Sequence, residues 1–86
     1  MERFPELKEG QVALVRADFK TGNVLDEAFK EAVEIDQEIY TIFDDKSQAL
    51  QFAKSLINER KDIECVISGE DGEMIYYITP QNVVSF

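Results

Sequence analysis

The sequence predicts a small α+β domain, an antiparallel or mixed sheet of four to five strands packed by one helix at about residues 45–60. Three observations lead to this class. Short runs of β-branched and aromatic residues recur along the chain, one segment has helical spacing of apolar residues, and an Asp-Gly pair separates the last two runs. The chain has 86 residues, enough for one modest core, so we expect a single domain over residues 1–86.

The first elements are a polar lead-in, a strand and a turn. Residues 1–10 are mostly polar and contain Pro5 and Gly10, so we expect a lead-in to the first strand. Residues 12–19 (VALVRADF) are rich in β-formers and alternate between faces, which predicts a strand. Gly22 and Asn23 both tolerate positive φ and predict a turn over residues 20–23.

Residues 25–35 are ambiguous between helix and strand. At helical spacing their apolar side chains fall within one arc, and Asp26 is placed to cap a helix. At a period of two, Phe29, Val33 and Ile35 share a face that also carries two glutamates. Composition favours the helix, although the end of the segment would serve equally well in a strand.

The second half of the chain predicts strand, helix and hairpin. Residues 38–43 (EIYTIF) are typical of a strand. Asp45 with Gln48 fits a capping box, and the apolar residues that follow recur on one helical face. Residues 63–68 and 74–79 predict two strands around the turn Asp71-Gly72. Residues 83–86 are expected to add a short edge piece after Pro80.

The predicted strands carry apolar residues on both faces, whereas one helix covers one face only. The covering of the second face therefore depends on residues 24–36. If they form a helix, the core closes on itself. If they form a strand, a patch holding some of Tyr40, Ile42, Ile75 and Tyr77 stays exposed, and such a patch usually marks an interaction surface.

The chain is strongly acidic, and its charge is concentrated. Nine basic residues against eighteen acidic ones give a net charge of −9, which repels phosphate backbones and anionic lipids. We therefore expect no nucleic acid and no membrane as partners. Residues 26–45, the acidic segment, carry −7 of this charge, and the only base among them is Lys30. This segment is either a solvated face or a docking surface for a basic protein.

Catalytic, cofactor and metal sites are not predicted. The chain has no histidine, so the commonest general base and zinc ligand is missing. Cys65 shares a strand face with Ile63 and Ile67, which predicts a buried, inert thiol. Asp44 and Asp45 are explained by helix capping, and the loop around Asp71 lacks the ligand pattern of a calcium site. We expect a protein that is not an enzyme.

The expected compartment is the cytoplasm. A single cysteine cannot form an internal disulfide, whereas secreted domains of this size often carry several. The first residues contain no apolar run typical of a signal peptide, and no stretch reaches the length of a membrane span.

The second half of the chain also carries a recognisable pattern. EIYTIFD, then Ala49 and Phe52-Ala53 on the helix, then IEC at residues 63–65 and a glycine-containing hairpin resemble short uncharacterised bacterial α+β proteins. The pattern consists of core and cap residues, so the resemblance implies a fold and no activity.

Two functional hypotheses follow. The first is a non-enzymatic protein-binding module that engages a basic protein, as small acidic inhibitors and immunity proteins do. Its candidate partner-binding residues are Glu27, Glu31, Glu34, Asp36, Glu38, Tyr40 and Tyr77. The alternative is a self-associating structural domain, a homodimer formed through the second sheet face or an edge strand.

Overall fold

The structure is a computed structural model that describes residues 3–86, so Met1 and Glu2 of the predicted lead-in lie outside the described residues. Within this range the chain forms one antiparallel sheet and one α-helix, and the predicted α+β class is confirmed. The elements are β1 (Val12–Asp18), β2 (Val24–Leu25), β3 (Tyr40–Phe43), α1 (Lys46–Glu59), β4 (Ile63–Ser68) and β5 (Met74–Ile78).

The longest strand, β1, organises the sheet. Along one side it pairs with β4, and β5 lies outside β4 at the edge. Along the other side β1 pairs first with β3 and then with β2. Leu25 is opposite Arg16 and Tyr40 is opposite Val15, so β2 and β3 continue one another along a single edge. Residues 26–39 are inserted between them.

The helix begins as its capping residues predict. The Asp45 carboxylate accepts a hydrogen bond from the Gln48 backbone nitrogen at 2.9 Å, which satisfies one of the free N–H groups of the first turn. At the other end the backbone nitrogen of Arg60 donates to the Leu56 carbonyl at 2.8 Å. One face of α1 is buried against the sheet through Ala49, Ala53, Leu56 and Ile57.

The core lies between α1 and the sheet face that carries the even-numbered residues of β1. Its members are Val12, Leu14, Leu25, Ala49, Ala53, Leu56, Ile57, Ile63, Cys65, Ile67, Ile78 and Val83. Cys65 is buried among them, as predicted, and burial raises the pKa of its thiol to about 12. The thiol is therefore protonated and unreactive near neutral pH.

The opposite face of the sheet, called the open face here, is only partly covered. Register places Tyr40, Val15, Val66 and Tyr77 in one row across four strands. Phe4 from the lead-in packs edge-on against Tyr40, with ring centroids 5.4 Å apart, and Tyr40 is half-buried. Ile42 and Tyr77 are exposed on this face. Ile75 is exposed as well, but the register of β4 and β5 skips it, and it borders a hollow together with Val12 and Lys46. The second face is therefore left partly exposed, although residues 26–36 form neither the helix nor the strand on which the two predicted arrangements depended.

Two predicted elements are wrong. Residues 25–35 form neither a helix nor a full strand, because beyond β2 they are an irregular loop with a single bridge between Leu25 and Glu31. Residues 83–86 do not add an edge strand. The side chain of Asn82 accepts a hydrogen bond from the Thr79 backbone nitrogen, and the turn that follows leads into a short 3-10 helix, Val83–Ser85, whose Val83 packs into the core.

The hairpin between β4 and β5 agrees with its sequence signal. Gly72 takes a positive φ of 78°, a conformation that residues with a Cβ rarely adopt, and its nitrogen donates to the Gly69 carbonyl at 2.9 Å. Among residues 3–86 no helix combines the length and the apolar character needed to cross a membrane.

Candidate docking surface on an acidic loop

The insertion between β2 and β3, residues 26–39, is called the acidic loop. It contains six acidic residues and one basic residue, Lys30. Both of its ends are fixed by pairing with β1, at Leu25 and at Tyr40. The loop therefore stands out from one edge of the sheet at a defined place.

Asp26 holds the first half of the acidic loop together. One of its carboxylate oxygens accepts from the backbone nitrogens of Ala28 and Lys30, at 2.8 and 3.0 Å. The other accepts from the side-chain amide of Gln37 at 2.8 Å. These hydrogen bonds, that from Gln37 first, favour the ionised form and lower the pKa of Asp26. Asp26 is thus a structural carboxylate and not a free binding group.

Gln37 closes the second half of the acidic loop. Its side-chain oxygen accepts from the backbone nitrogens of Val33 and Glu34, each at 2.7 Å. Its side-chain nitrogen also donates to the Glu31 carbonyl at 2.8 Å, besides reaching Asp26. One amide therefore ties the tip of the loop to its base. The conformation is set by hydrogen bonds across the loop, in place of the regular pattern of a helix.

Apolar contacts fasten the acidic loop to the rest of the molecule. Phe29 packs against the core. The guanidinium carbon of Arg60, at the end of α1, lies over the Phe29 ring at 4.2 Å from its centroid. Phe29 has a positive φ of 66°, a strained conformation for an aromatic residue, which the surrounding contacts hold in place. Ile39, just before β3, is almost fully buried.

A buried cation lies beneath the acidic loop. Arg16 of β1 is only 2% exposed, and its Nη2 donates to the Thr41 hydroxyl, which in turn donates to Glu27 at 3.1 Å. Burial lowers the pKa of Arg16, while the nearby carboxylates of Glu27 and Asp26 oppose that shift. Its Nη1 has no hydrogen-bond partner. The guanidinium therefore links the sheet to the loop electrostatically.

The outer side of the acidic loop is accessible to a partner. Its exposed carboxylates are Glu27, Glu31, Glu34, Asp36 and Glu38. Between them at the tip stand two apolar side chains, Val33 and Ile35, which are 79% and 84% exposed. The loop also borders a solvent-open depression of about 680 Å³ whose lining includes these carboxylates. Its size and charge suit the side chains of lysine and arginine.

The structure brings the five predicted acidic residues together but separates the two predicted tyrosines. Tyr40 directly follows the acidic loop and lies at its base on the open face. Tyr77 lies on β5, three strands away across the sheet, where its hydroxyl donates to Glu64 at 2.7 Å. Asp44 and Asp45 belong to the acidic segment but lie outside the acidic loop. The Asp44 carboxylate accepts a hydrogen bond from the Gln11 side chain, and Asp45 caps the helix.

Three residues that shape this surface were not predicted. Arg16 could have been identified from the sequence, because a lone cation inside an apolar strand requires a polar partner when it is buried. Gln37 and Phe29 carried none, since their roles depend on contacts across the loop and with the helix end. Within residues 3–86 no group of three or more cysteine, aspartate or glutamate side chains is arranged to hold a metal ion.

Comparison with known proteins returns no match to a family model, to a curated protein or to a solved structure. The resemblance of the second half of the chain to short bacterial proteins stays a prediction.

Proposed function

We propose that this chain is a non-enzymatic protein-binding module that presents its acidic loop to a basic protein. The observation that carries the proposal is the combination of order and exposure in one segment. Asp26 and Gln37 fix the backbone of the loop by hydrogen bonds, while five carboxylates project from it. A surface that is ordered before binding loses less conformational entropy when the partner arrives.

Electrostatics supports a basic partner. Residues 26–45 run from the acidic loop through β3 to the two aspartates before α1 and hold −7 of the net charge of −9, of which the acidic loop alone holds −5. Complementary charge speeds association and rejects acidic competitors. The two apolar side chains at the tip, Val33 and Ile35, add contacts that do not depend on salt. We expect a partner with lysine and arginine residues around a small apolar hollow.

Small acidic inhibitors and immunity-type proteins, which neutralise basic proteins, have the same combination of charge and size. We propose that this chain acts in the same way, as an inhibitor of a basic protein in the cytoplasm. The single free cysteine, buried in the core, supports a reducing compartment.

Affinity purification from the source cells tests the proposal. The bait with Glu31→Lys, Glu34→Lys and Asp36→Lys is compared with the wild type. We expect one basic protein to be recovered with the wild type and lost with the reversed loop. That protein is then purified and titrated against both baits, where reversal should weaken binding by about tenfold or more.

A matched control separates the position of charge from its amount. Glu6→Lys, Glu59→Lys and Glu70→Lys change the same charge at exposed sites outside the loop, and binding should be retained. The wild-type affinity should fall steeply as ionic strength rises from roughly 50 to 300 mM, because the Debye length shortens. Equal losses in both triple variants, or an affinity that ignores salt, would rule out docking through the loop.

A further inference from the structure

The acidic loop has two parts that differ in what holds them. In the anchored part, residues 26–30, Glu27 accepts a hydrogen bond from the Thr41 hydroxyl at 3.1 Å, and that hydroxyl accepts one from Nη2 of Arg16. The guanidinium of Arg60 also lies over the one aromatic ring of this part. Two cations of the fold therefore already engage the anchored part.

In the outer part of the loop, residues 31–38, the carboxylates have fewer contacts. They belong to Glu31, Glu34, Asp36 and Glu38, all of them exposed. Glu31 accepts a hydrogen bond from the neutral Asn23 side chain at 3.2 Å, and within residues 3–86 the other three side chains form no hydrogen bond or ion pair. The charge that is free to meet a partner therefore lies in the outer part.

The buried Arg16 explains why Glu27 differs from the outer carboxylates. Arg16 is only 2% exposed and its Nη1 has no hydrogen-bond partner, so its charge is compensated chiefly from the side of the loop. A buried charge without compensation is strongly unfavourable. Burial lowers the pKa of Arg16, and Glu27 is the carboxylate that opposes this most strongly. One hydroxyl group, that of Thr41, joins the two charges.

We propose that Glu27 is a positioning residue, held by the buried Arg16 through Thr41, and that cations of the partner bind the outer carboxylates and not Glu27. The statement about the partner rests on the proposed function, whereas the role of Glu27 concerns this chain alone. A partner lysine that took Glu27 would remove the acceptor of the Thr41 hydroxyl and weaken the compensation of Arg16. Binding at Glu34 breaks no hydrogen bond within residues 3–86.

A double-mutant cycle tests the role of Glu27 without any partner. Glu27→Gln keeps a hydrogen-bond acceptor for Thr41 and removes only the charge, and amide hydrogen exchange measures the opening of residues 26–39. We expect Glu27→Gln to raise the equilibrium constant for opening by about fivefold in the wild-type chain and by less than about twofold beside Arg16→Met. Thr41→Val, which breaks the relay, is the second background and should also reduce the effect. Equal increases in all three backgrounds would overturn the proposal.

A hexalysine peptide is the cationic probe for the outer part. The side-chain carboxyl carbons are followed by NMR while the peptide is added at about 20 mM salt, where screening is weak. We expect saturating shifts at Glu34 and Asp36 and none at Glu27. Glu34→Gln is the matched control, since it removes one charge as Glu27→Gln does. It should weaken peptide binding by about twofold or more and leave the opening of the loop at the wild-type level.

The two measurements distinguish failure of this inference from failure of the proposed function. Saturating shifts at Glu27, or a loop that opens as readily in Glu34→Gln as in Glu27→Gln, would overturn the division of the loop into two parts. Peptide that binds only outside the acidic loop would count against the proposed function, and the cycle would still decide whether Glu27 positions the loop.

Discussion

The two edges of the sheet expose different chemistry to solvent, one of them acidic and the other apolar. On one edge, β2 and β3 are short and are interrupted by the acidic loop, which projects charge from the place where another strand would add. On the other edge, β5 is an uncharged strand whose Met74, Ile75 and Tyr77 are exposed, and a register shift against β4 leaves Ile75 without a partner. The same sheet therefore separates an acidic surface from an apolar one by three strand spacings. The following experiments test whether the two edges behave independently.

The largest effect is expected beneath the loop-bearing edge, at the buried Arg16. Thr41→Val removes the hydroxyl that accepts from Nη2, which leaves the guanidinium buried without this partner, and should lower the free energy of unfolding by about 2–3 kcal/mol. Arg16→Met removes the buried charge itself, so it should change stability by only about 1 kcal/mol. Urea unfolding of both variants measures the difference.

The order of these two variants decides the interpretation. A larger loss for Arg16→Met than for Thr41→Val would show that the guanidinium is a net stabilising group, and the picture of an under-satisfied buried cation would fail.

A smaller and more local effect is expected at the tie of the acidic loop. Gln37→Ala removes the side-chain hydrogen bonds to Asp26 and to three backbone groups, and should lower the free energy of local opening by about 1–2 kcal/mol. Amide hydrogen exchange should become faster within residues 26–39 and remain unchanged in β5. Gln51→Ala, at an exposed position on the helix, is the control. Faster exchange in β5 as well would show that the edges are coupled.

The pH dependence of the acidic loop should follow Asp26. Its pKa is lower in the folded chain than the ordinary 3.8, so the folded state favours the carboxylate. The stability that it contributes is present above pH values near 3.8 and is lost as the pH falls through the lower folded value. Exchange within the loop, followed by NMR during acid titration, should show this loss. In Asp26→Asn the backbone amides of the acidic loop should exchange faster at neutral pH, and this part of the pH dependence should be absent.

The smallest expected effect concerns Tyr77 beside the β5 edge. Its hydrogen bond to Glu64 raises the pKa of the phenol, because the carboxylate stabilises the protonated form. Glu64→Gln should lower that pKa toward its ordinary value, as measured by ultraviolet titration of the tyrosines, with Tyr77→Phe identifying the signal. An unchanged titration in Glu64→Gln would show that the contact does not persist in solution. The acidic loop should not respond to either variant.

The sequence predicted most of this fold because local signals there agree with tertiary structure. Asp45 caps the helix, Gly72 permits the hairpin turn, and the alternation in 63–68 places Cys65 in the core. Strand alternation also predicted apolar residues on both faces of the sheet, but it left open whether the second face is covered or exposed. In each case the determining contact lies within a few residues, or depends only on which face of a strand is covered.

The acidic loop was located by its charge, but its conformation was not predicted. Composition favoured a helix over residues 25–35, yet Leu25 pairs with Arg16 in the sheet. The Asp26 carboxylate accepts hydrogen bonds from the backbone nitrogens of Ala28 and Lys30, as in a turn. An aspartate side chain that accepts hydrogen bonds from nearby backbone N–H groups competes with the hydrogen bonds of a helix. The contact that completes the loop, from Gln37, comes from eleven residues farther along and has no periodic signature.

The continuity of β2 and β3 along one edge has a consequence for how this chain can vary. Leu25 and Tyr40 occupy neighbouring places beside β1, so the segment between them is an excursion that the rest of the sheet does not require for its register. Its length and charge can change while the frame of β1, β4, β5 and α1 persists, provided that Arg16 stays covered. The acidic loop is in this sense a single insertion in the sheet, and one stretch of chain can be exchanged there without changing the pairing of the other strands.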